Sequence, residues 1–257
     1  MNCFFYLFFF SLLSILSSAS EIVKISPDLW ARPVIIGASV SDGYHHTETI
    51  GGPKSEALAL DLYLQKLLES PETKIINLSN RLCFFSPLVI AHKQIFDAQK
   101  NEPSIVIAID QLFWHLYGRY DNKEERLKTF QNALDNLSAI DCPLIIGNIP
   151  DASESIRKML SVKQVPKIET INKANQILSK WVEKRIQNKQ RTAIVDLSSF
   201  MKLCVANEEI KLSNVIYPAG TTRDFLQRDR LHPTPLGISA ISRAVMDAVM
   251  RLQPAKP

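Results

Sequence analysis

Val34-Ile35-Ile36-Gly37-Ala38-Ser39-Val40-Ser41-Asp42-Gly43 begins as a β-branched apolar run, stops at a glycine and turns at once to small polar residues. A run that is continuous rather than alternating reads as a short strand covered on both faces. Similar runs recur at 74–78, 104–109, 143–146 and 192–197. Helical patterns lie between them. Over 54–69, Leu60, Leu64, Leu67 and Leu68 form one stripe; over 169–188, Ile171, Ala174, Leu178, Trp181 and Val182 do the same. Helices are also predicted over 121–139 and 234–252, the last with Pro235 tolerated in its first turn. Such alternation specifies the α/β class: a three-layer α/β/α sandwich around a mainly parallel five-stranded sheet. Two stretches break the scheme. Residues 151–167 carry only a short helical pattern at 153–160, and 208–228 mix a polar loop with Val215-Ile216-Tyr217. Both flank the expected site edge, as its rim or as ordinary connections.

Ser39 falls just past the first strand, at the carboxyl edge where open α/β sheets build their sites. Near the other end of the chain stands Asp229-Arg230-Leu231-His232-Pro233. A carboxylate three residues before a histidine is close enough to orient the imidazole, so the two segments together supply nucleophile, base and orienting acid. Ser39 also suits a helix N-cap, the commoner use of a serine at a strand end; the downstream Asp-x-x-His-Pro favours the nucleophile. Asp224, in the same loop as Asp229, is a second candidate to orient His232. His45 and His46, beside the nucleophile, read as a polar loop or, for His45, as a pocket wall. Phe113, Trp114 and Tyr117 directly follow the third strand. They either pack the core or wall a ligand pocket, with Trp114 the substrate-binding candidate because it lies near the strand's carboxyl end.

These residues resemble the first and last blocks of the SGNH/GDSL hydrolase superfamily, Gly-Asp-Ser-x-x-x-Gly and Asp-x-x-His-Pro. Ser39, Gly43, Asp229, His232 and Pro233 fall on the pattern, Thr234-Pro235-Leu236-Gly237 continues it, and Ala38 replaces the family aspartate. The middle blocks are degenerate. In the second, 75–82, Asn77 fits and Leu82 stands where the family has a glycine whose N–H binds the oxyanion. In the third, 108–111, Asp110 replaces an asparagine that donates to the same oxyanion. Segment 144–150 matches the family's strand-then-proline landmark. The resemblance spans about residues 32–252 and implies a flavodoxin-like SGNH hydrolase fold. It leaves Leu82 and Asp110 as oxyanion-hole candidates. Asp110 serves there either as a neutral acid that donates a hydrogen bond, as in the ketosteroid isomerase case, or only as a structural group that binds backbone.

At 257 residues the chain suits one sizeable domain. Residues 4–16 are almost wholly apolar and Ser17-Ser18-Ala19 follows, so 1–20 reads as a secretory signal and 21–257 as a single domain of a secreted or periplasmic protein. A membrane anchor is the alternative, although ~13 apolar residues are few for a span. Beyond the signal, Cys83, Cys142 and Cys204 show neither a disulfide framework nor metal-ligand spacing. Cys142 and Cys204 are expected as small core residues, with one oxidised pair left open. Thirty basic against 26 acidic residues, a formal charge of +4, gives no nucleic-acid signature. The basic stretch 180–191, interrupted by Trp181, Val182, Glu183 and Ile186, reads as a solvated helix face.

The function expected is that of a secreted serine esterase, and the resemblance implies small acyl esters as substrates, either carbohydrate acetyl groups or short-chain lipid esters. It has Ser39, Asp229 and His232 as its triad and needs no metal or organic cofactor. An O-acyltransferase with the same triad, and a binding protein on a decayed hydrolase fold, are the alternatives. Oligomeric state is left open.

Overall fold

The computed structural model describes residues 27–49, 52–53, 58–68 and 72–252; the expected signal segment lies outside them. The five apolar runs form five parallel strands: β1 Pro33–Ile35, β2 Ile76–Asn77, β3 Ile105–Ala108, β4 Leu144–Gly147 and β5 Thr192–Val195, in the order β2-β1-β3-β4-β5. Val34 lies opposite Val106, Val106 opposite Leu144 and Ile146 opposite Ile194.

Successive side chains on a strand point to opposite faces, which divides the core in two. Ile35, Ile107, Ile145 and Val195 pack beneath α1 (Leu60–Leu67), α6 (Leu197–Ala206) and α7 (Pro235–Leu252). Val34, Val106, Leu144 and Ile146 pack against α2 (Pro87–Lys100), α3 (Phe113–Tyr117), α4 (Lys123–Leu137) and α5 (Ile168–Gln187). Fully burying one such side chain stabilises the fold by about 1.5–3 kcal/mol, so both layers are strongly driven. This is the three-layer α/β/α sandwich that the alternation predicts. The chain passes from β1 out to β2 on one side and returns to β3 on the other. The loops leaving β1 and β3 therefore diverge, which opens a crevice at the carboxyl edge.

Three helices go beyond the sequence reading. α2 was obscured because its buried face is small and partly polar (Ala91, Gln94, Ile95, Ala98) while Val89 and Phe96 are exposed. α6 continues the apolar run of β5; Asp196 marks the boundary, its side chain accepting from the Ser199 N–H at 3.0 Å. α3 is little more than one turn. Of the helix expected over 54–69, Leu60–Leu67 is helical; 54–57 and 69 lie outside the described residues.

The two irregular stretches are ordered by other means. The short helix expected at 153–160 is only a 3₁₀ turn, Ser153–Ser155. The segment is pinned by the buried Arg126, whose guanidinium donates to the carbonyls of Leu116, Gly118, Lys163 and Gln164. Residues 208–228 form a hairpin, β6 Ile210–Leu212 with β7 Val215–Tyr217, and a 3₁₀ turn, Thr222–Phe225. Among the described residues Cys83, Cys142 and Cys204 are free; Cys83 and Cys204 are buried and Cys142 is half-buried. Among the described residues no helix is long and apolar enough to cross a membrane.

Candidate active site

Ser39 and His232, 193 positions apart, meet at the carboxyl edge of β1. His232 Nε2 lies 2.9 Å from Ser39 Oγ, and His232 Nδ1 lies 2.6 Å from Asp229 Oδ2. Asp229 Oδ1 accepts from the Leu231 and His232 N–H groups at 3.0 and 3.1 Å, a local turn that holds acid and base in register. Arg230 takes a left-handed φ of 59° inside this turn. Burial pushes the Asp229 carboxyl up. The hydrogen bond and charge of His232, with the Leu231 and His232 N–H groups, outweigh that push, so its pKa lies below the usual carboxylate range. Asp229 thus orients the imidazole as an anion. The Asp224 backbone carbonyl accepts from Thr234 Oγ1; the carboxylate facing His232 is that of Asp229. The Tyr44 ring packs on the imidazole, centroids 4.7 Å apart and tilted by 58°.

The turn carrying Ser39 is held from three sides. Below it, the Gly37 carbonyl accepts from the Asn80 N–H at 3.0 Å, Gln94 Nε2 at 2.8 Å and Cys83 Sγ at 3.4 Å. Beside it, Arg81 is buried and pairs with Asp42 at 2.6 Å and with Glu48. On the third side stands Asp110. Its Oδ1 accepts from the Ala38 N–H at 3.0 Å and Ser41 Oγ at 2.6 Å, and its Oδ2 from the Val40 N–H at 2.8 Å and the Ser41 N–H at 3.2 Å. Burial raises the Asp110 pKa, opposed by these four hydrogen bonds. Gly37 is required here: a Cβ on it would sit 2.2 Å from Asp110 Oδ1.

Both oxyanion-hole candidates are therefore corrected. Asp110 spends both oxygens on the 38–41 turn and presents no donor beyond it. The Leu82 N–H donates to Asn80 Oδ1 at 2.8 Å, because Asn80 caps the 3₁₀ turn Arg81–Phe85. Leu82 has no left-handed φ. Of the four amides from 38 to 41, three go to Asp110, and the Ser39 N–H makes no hydrogen bond among the described residues.

The substrate-binding candidates are corrected too. Trp114 is buried against Phe84 and Phe113, in the core and not in the cavity beside Ser39. His45 Nδ1 turns to Thr47 Oγ1 in its own loop, 2.7 Å away. Phe113, by contrast, does line the cavity, while Tyr117 stacks on it at 4.1 Å and donates to the Pro150 carbonyl. The stretch 151–167 contributes nothing to the cavity wall and 208–228 only Leu226.

Gln227 was missed by sequence reasoning. It is buried, and its Nε2 donates to the Tyr44 carbonyl at 3.0 Å and to the Pro233 carbonyl at 2.7 Å. Its Oε1 accepts from the His46 N–H at 2.8 Å, with His46 Nδ1 at the same distance. It ties the serine loop to the histidine loop from 181 to 183 positions away, a distance that no local pattern encodes.

No family model and no curated protein matches the chain. Solved structures do. A lipase/acylhydrolase from Enterococcus faecalis superposes with TM-score 0.56 at 15% identity, covering 88% of this chain and all of its own. A catalytic mutant of Axe2, an acetylxylan esterase from Geobacillus stearothermophilus, gives 0.53 at 14% identity over 85% of this chain and 94% of its own. LAE5, an α/β hydrolase enzyme from the metagenome of Lake Arreo, gives 0.53 at 17% identity over 87% and 97%. At such identities the likeness is one of fold, and the fold is the one that esterases and acylhydrolases use.

Proposed function

We propose that this chain is a serine esterase, with Ser39 as nucleophile, His232 as general base and then general acid, and Asp229 as the group that fixes the imidazole tautomer. The supporting observation is the continuous line Asp229 Oδ2, His232 Nδ1, His232 Nε2, Ser39 Oγ, with steps of 2.6 and 2.9 Å at its two hydrogen bonds. Asp229, anionic, accepts from Nδ1–H, which leaves Nε2 free to take the Ser39 proton as Oγ attacks the ester carbonyl. The unspent Ser39 N–H is the donor offered to the oxyanion. Collapse of the tetrahedral intermediate sends the Nε2 proton to the departing alcohol. Water, deprotonated by His232, then attacks the acyl-enzyme and releases the carboxylic acid. The fold shared with known esterases and acylhydrolases agrees with this chemistry.

Labelling of the purified protein with a fluorophosphonate tests for an activated serine without knowledge of the substrate. The label is expected on Ser39 by peptide mass spectrometry. Ser39→Ala should cut kcat on p-nitrophenyl butyrate on the order of 10⁴–10⁶-fold while leaving the fold intact. Hydrolysis by Ser39→Ala at the original rate would sink the mechanism.

A further inference from the structure

The walls of the cavity that opens beside Ser39 are almost wholly apolar: Ile109, Phe113, Ile149, Phe200, Met201 and Ile241 among them. Two polar side chains besides Ser39 reach it, Asp110 and Asn148, and both are spent. Asp110 is committed to the 38–41 turn. Asn148 Nδ2 donates to Asp196 Oδ1 at 2.7 Å and its Oδ1 accepts from the Ser198 N–H at 2.8 Å. The backbone groups at Ile149 and Pro150 are spent as well. The Ile149 N–H and carbonyl both bond the Asn175 side chain, and the Pro150 carbonyl accepts from Tyr117. A sugar ring placed here would lose water from its hydroxyls and find few partners, a loss that binding does not recover. A hydrocarbon chain loses nothing. Access is narrow too, since Ser39 is 9% exposed and His232 not at all, a poor fit for a bulky glycan.

Resting on the proposed role of Ser39, we infer that the substrate is an ester of a hydrocarbon acid whose acyl chain fills this cavity, rather than an acetylated carbohydrate. The acyl half is the one assigned because it alone stays bonded to Ser39 Oγ through the covalent intermediate. Ala38, Ser39 and Val40 together form one wall of the cavity. The alcohol takes its proton from His232 and departs, so it does not occupy the cavity through the second step.

The test is kcat/KM along p-nitrophenyl acetate, butyrate, hexanoate and octanoate. It should rise toward the longer chains by up to about fourfold per methylene, the factor to which about 0.8 kcal/mol per buried CH₂ converts. Met201→Trp, which narrows the cavity, should lower the octanoate-to-acetate ratio at least tenfold. A profile that is flat or falls with acyl length, with Ser39 still labelled by fluorophosphonate, overturns the acyl assignment and leaves the nucleophile standing. A rise with the alcohol chain of alkyl acetates, and none with the acyl chain, overturns it equally. If Ser39 takes no label, the nucleophile reading falls, and the cavity is judged by calorimetry with octanoate alone. Saturable octanoate binding that Met201→Trp weakens supports the hydrocarbon site; absence of octanoate binding to the unaltered protein removes it.

Discussion

Asp110 grips the serine turn through four hydrogen bonds from residues 69 to 72 positions earlier in the chain. A neutral-donor role would make Asp110→Asn harmless, since the amide keeps a donor in place. The observed contacts reverse that expectation. An amide can accept at only one of its two terminal atoms, so its NH₂ would face backbone N–H groups and leave one or two of them unsatisfied, at about 1–3 kcal/mol each. Asp110→Asn should lower urea stability by that amount. It should also reduce kcat on the order of 10²-fold, the scale for a nucleophile displaced by a fraction of an ångström to an ångström. An Asn variant within tenfold of the original kcat at unchanged stability would mean that the turn is held without the carboxylate. At this scale legibility was uneven. That Ser39, Asp229 and His232 would lie together could be read, because each sits in a short segment whose residue types and order are chemically specific. The use of Asp110 could not, since an aspartate after a strand serves many purposes and its partners are distant. The Leu82 N–H goes to Asn80, two residues away, in a local cap whose competition for that donor leaves no periodic signal in the sequence.

The elements that carry the site are short strands and the loops between them, and the loops decide its geometry. Gln227 joins two of them, with both ends of its amide engaged by Tyr44, His46 and Pro233. Gln227→Leu keeps the volume and removes every one of these bonds. It should cost about 2 kcal/mol of stability through the orphaned Tyr44 and Pro233 carbonyls, seen as a Tm lower by roughly 4–8 °C. On butyrate ester, kcat should fall at least tenfold with KM little changed, because the proposed base, His232, is displaced while the cavity is intact. A variant with reduced Tm and full kcat would make Gln227 a brace for the fold alone. Strands and long helices were legible from period; α2 and α6 were not. Polar Gln94 on the buried face of one, and an apolar sequence running straight out of β5 into the other, blurred the pattern on which such readings depend.

Across the whole molecule the parallel sheet was the most legible feature, because five continuous apolar runs leave few other ways to bury them. Its stability is tied to pH through a buried histidine. His115 in α3 is buried, and burial lowers its pKa from 6.5 to about 4, against the hydrogen bond that its Nδ1 donates to the Gln111 carbonyl. The unfolded chain therefore binds a proton below pH 6.5 that the folded chain refuses until about pH 4. The stabilisation from this group is complete above the upper value and is lost as pH falls through the window, by about 2 kcal/mol at pH 5. Urea unfolding at pH 7.5 and pH 5 should show His115→Gln losing less on acidification than the unaltered protein by about that margin; parallel losses would remove His115 as the cause. The separation of Ser39 from His232 bears on the protein's life history. On the proposed mechanism Ser39 depends on an imidazole 193 positions further along the chain. All five strands of the sheet precede His232, so a fragment that stops short of it can complete the sheet and, on that mechanism, still be inert toward esters.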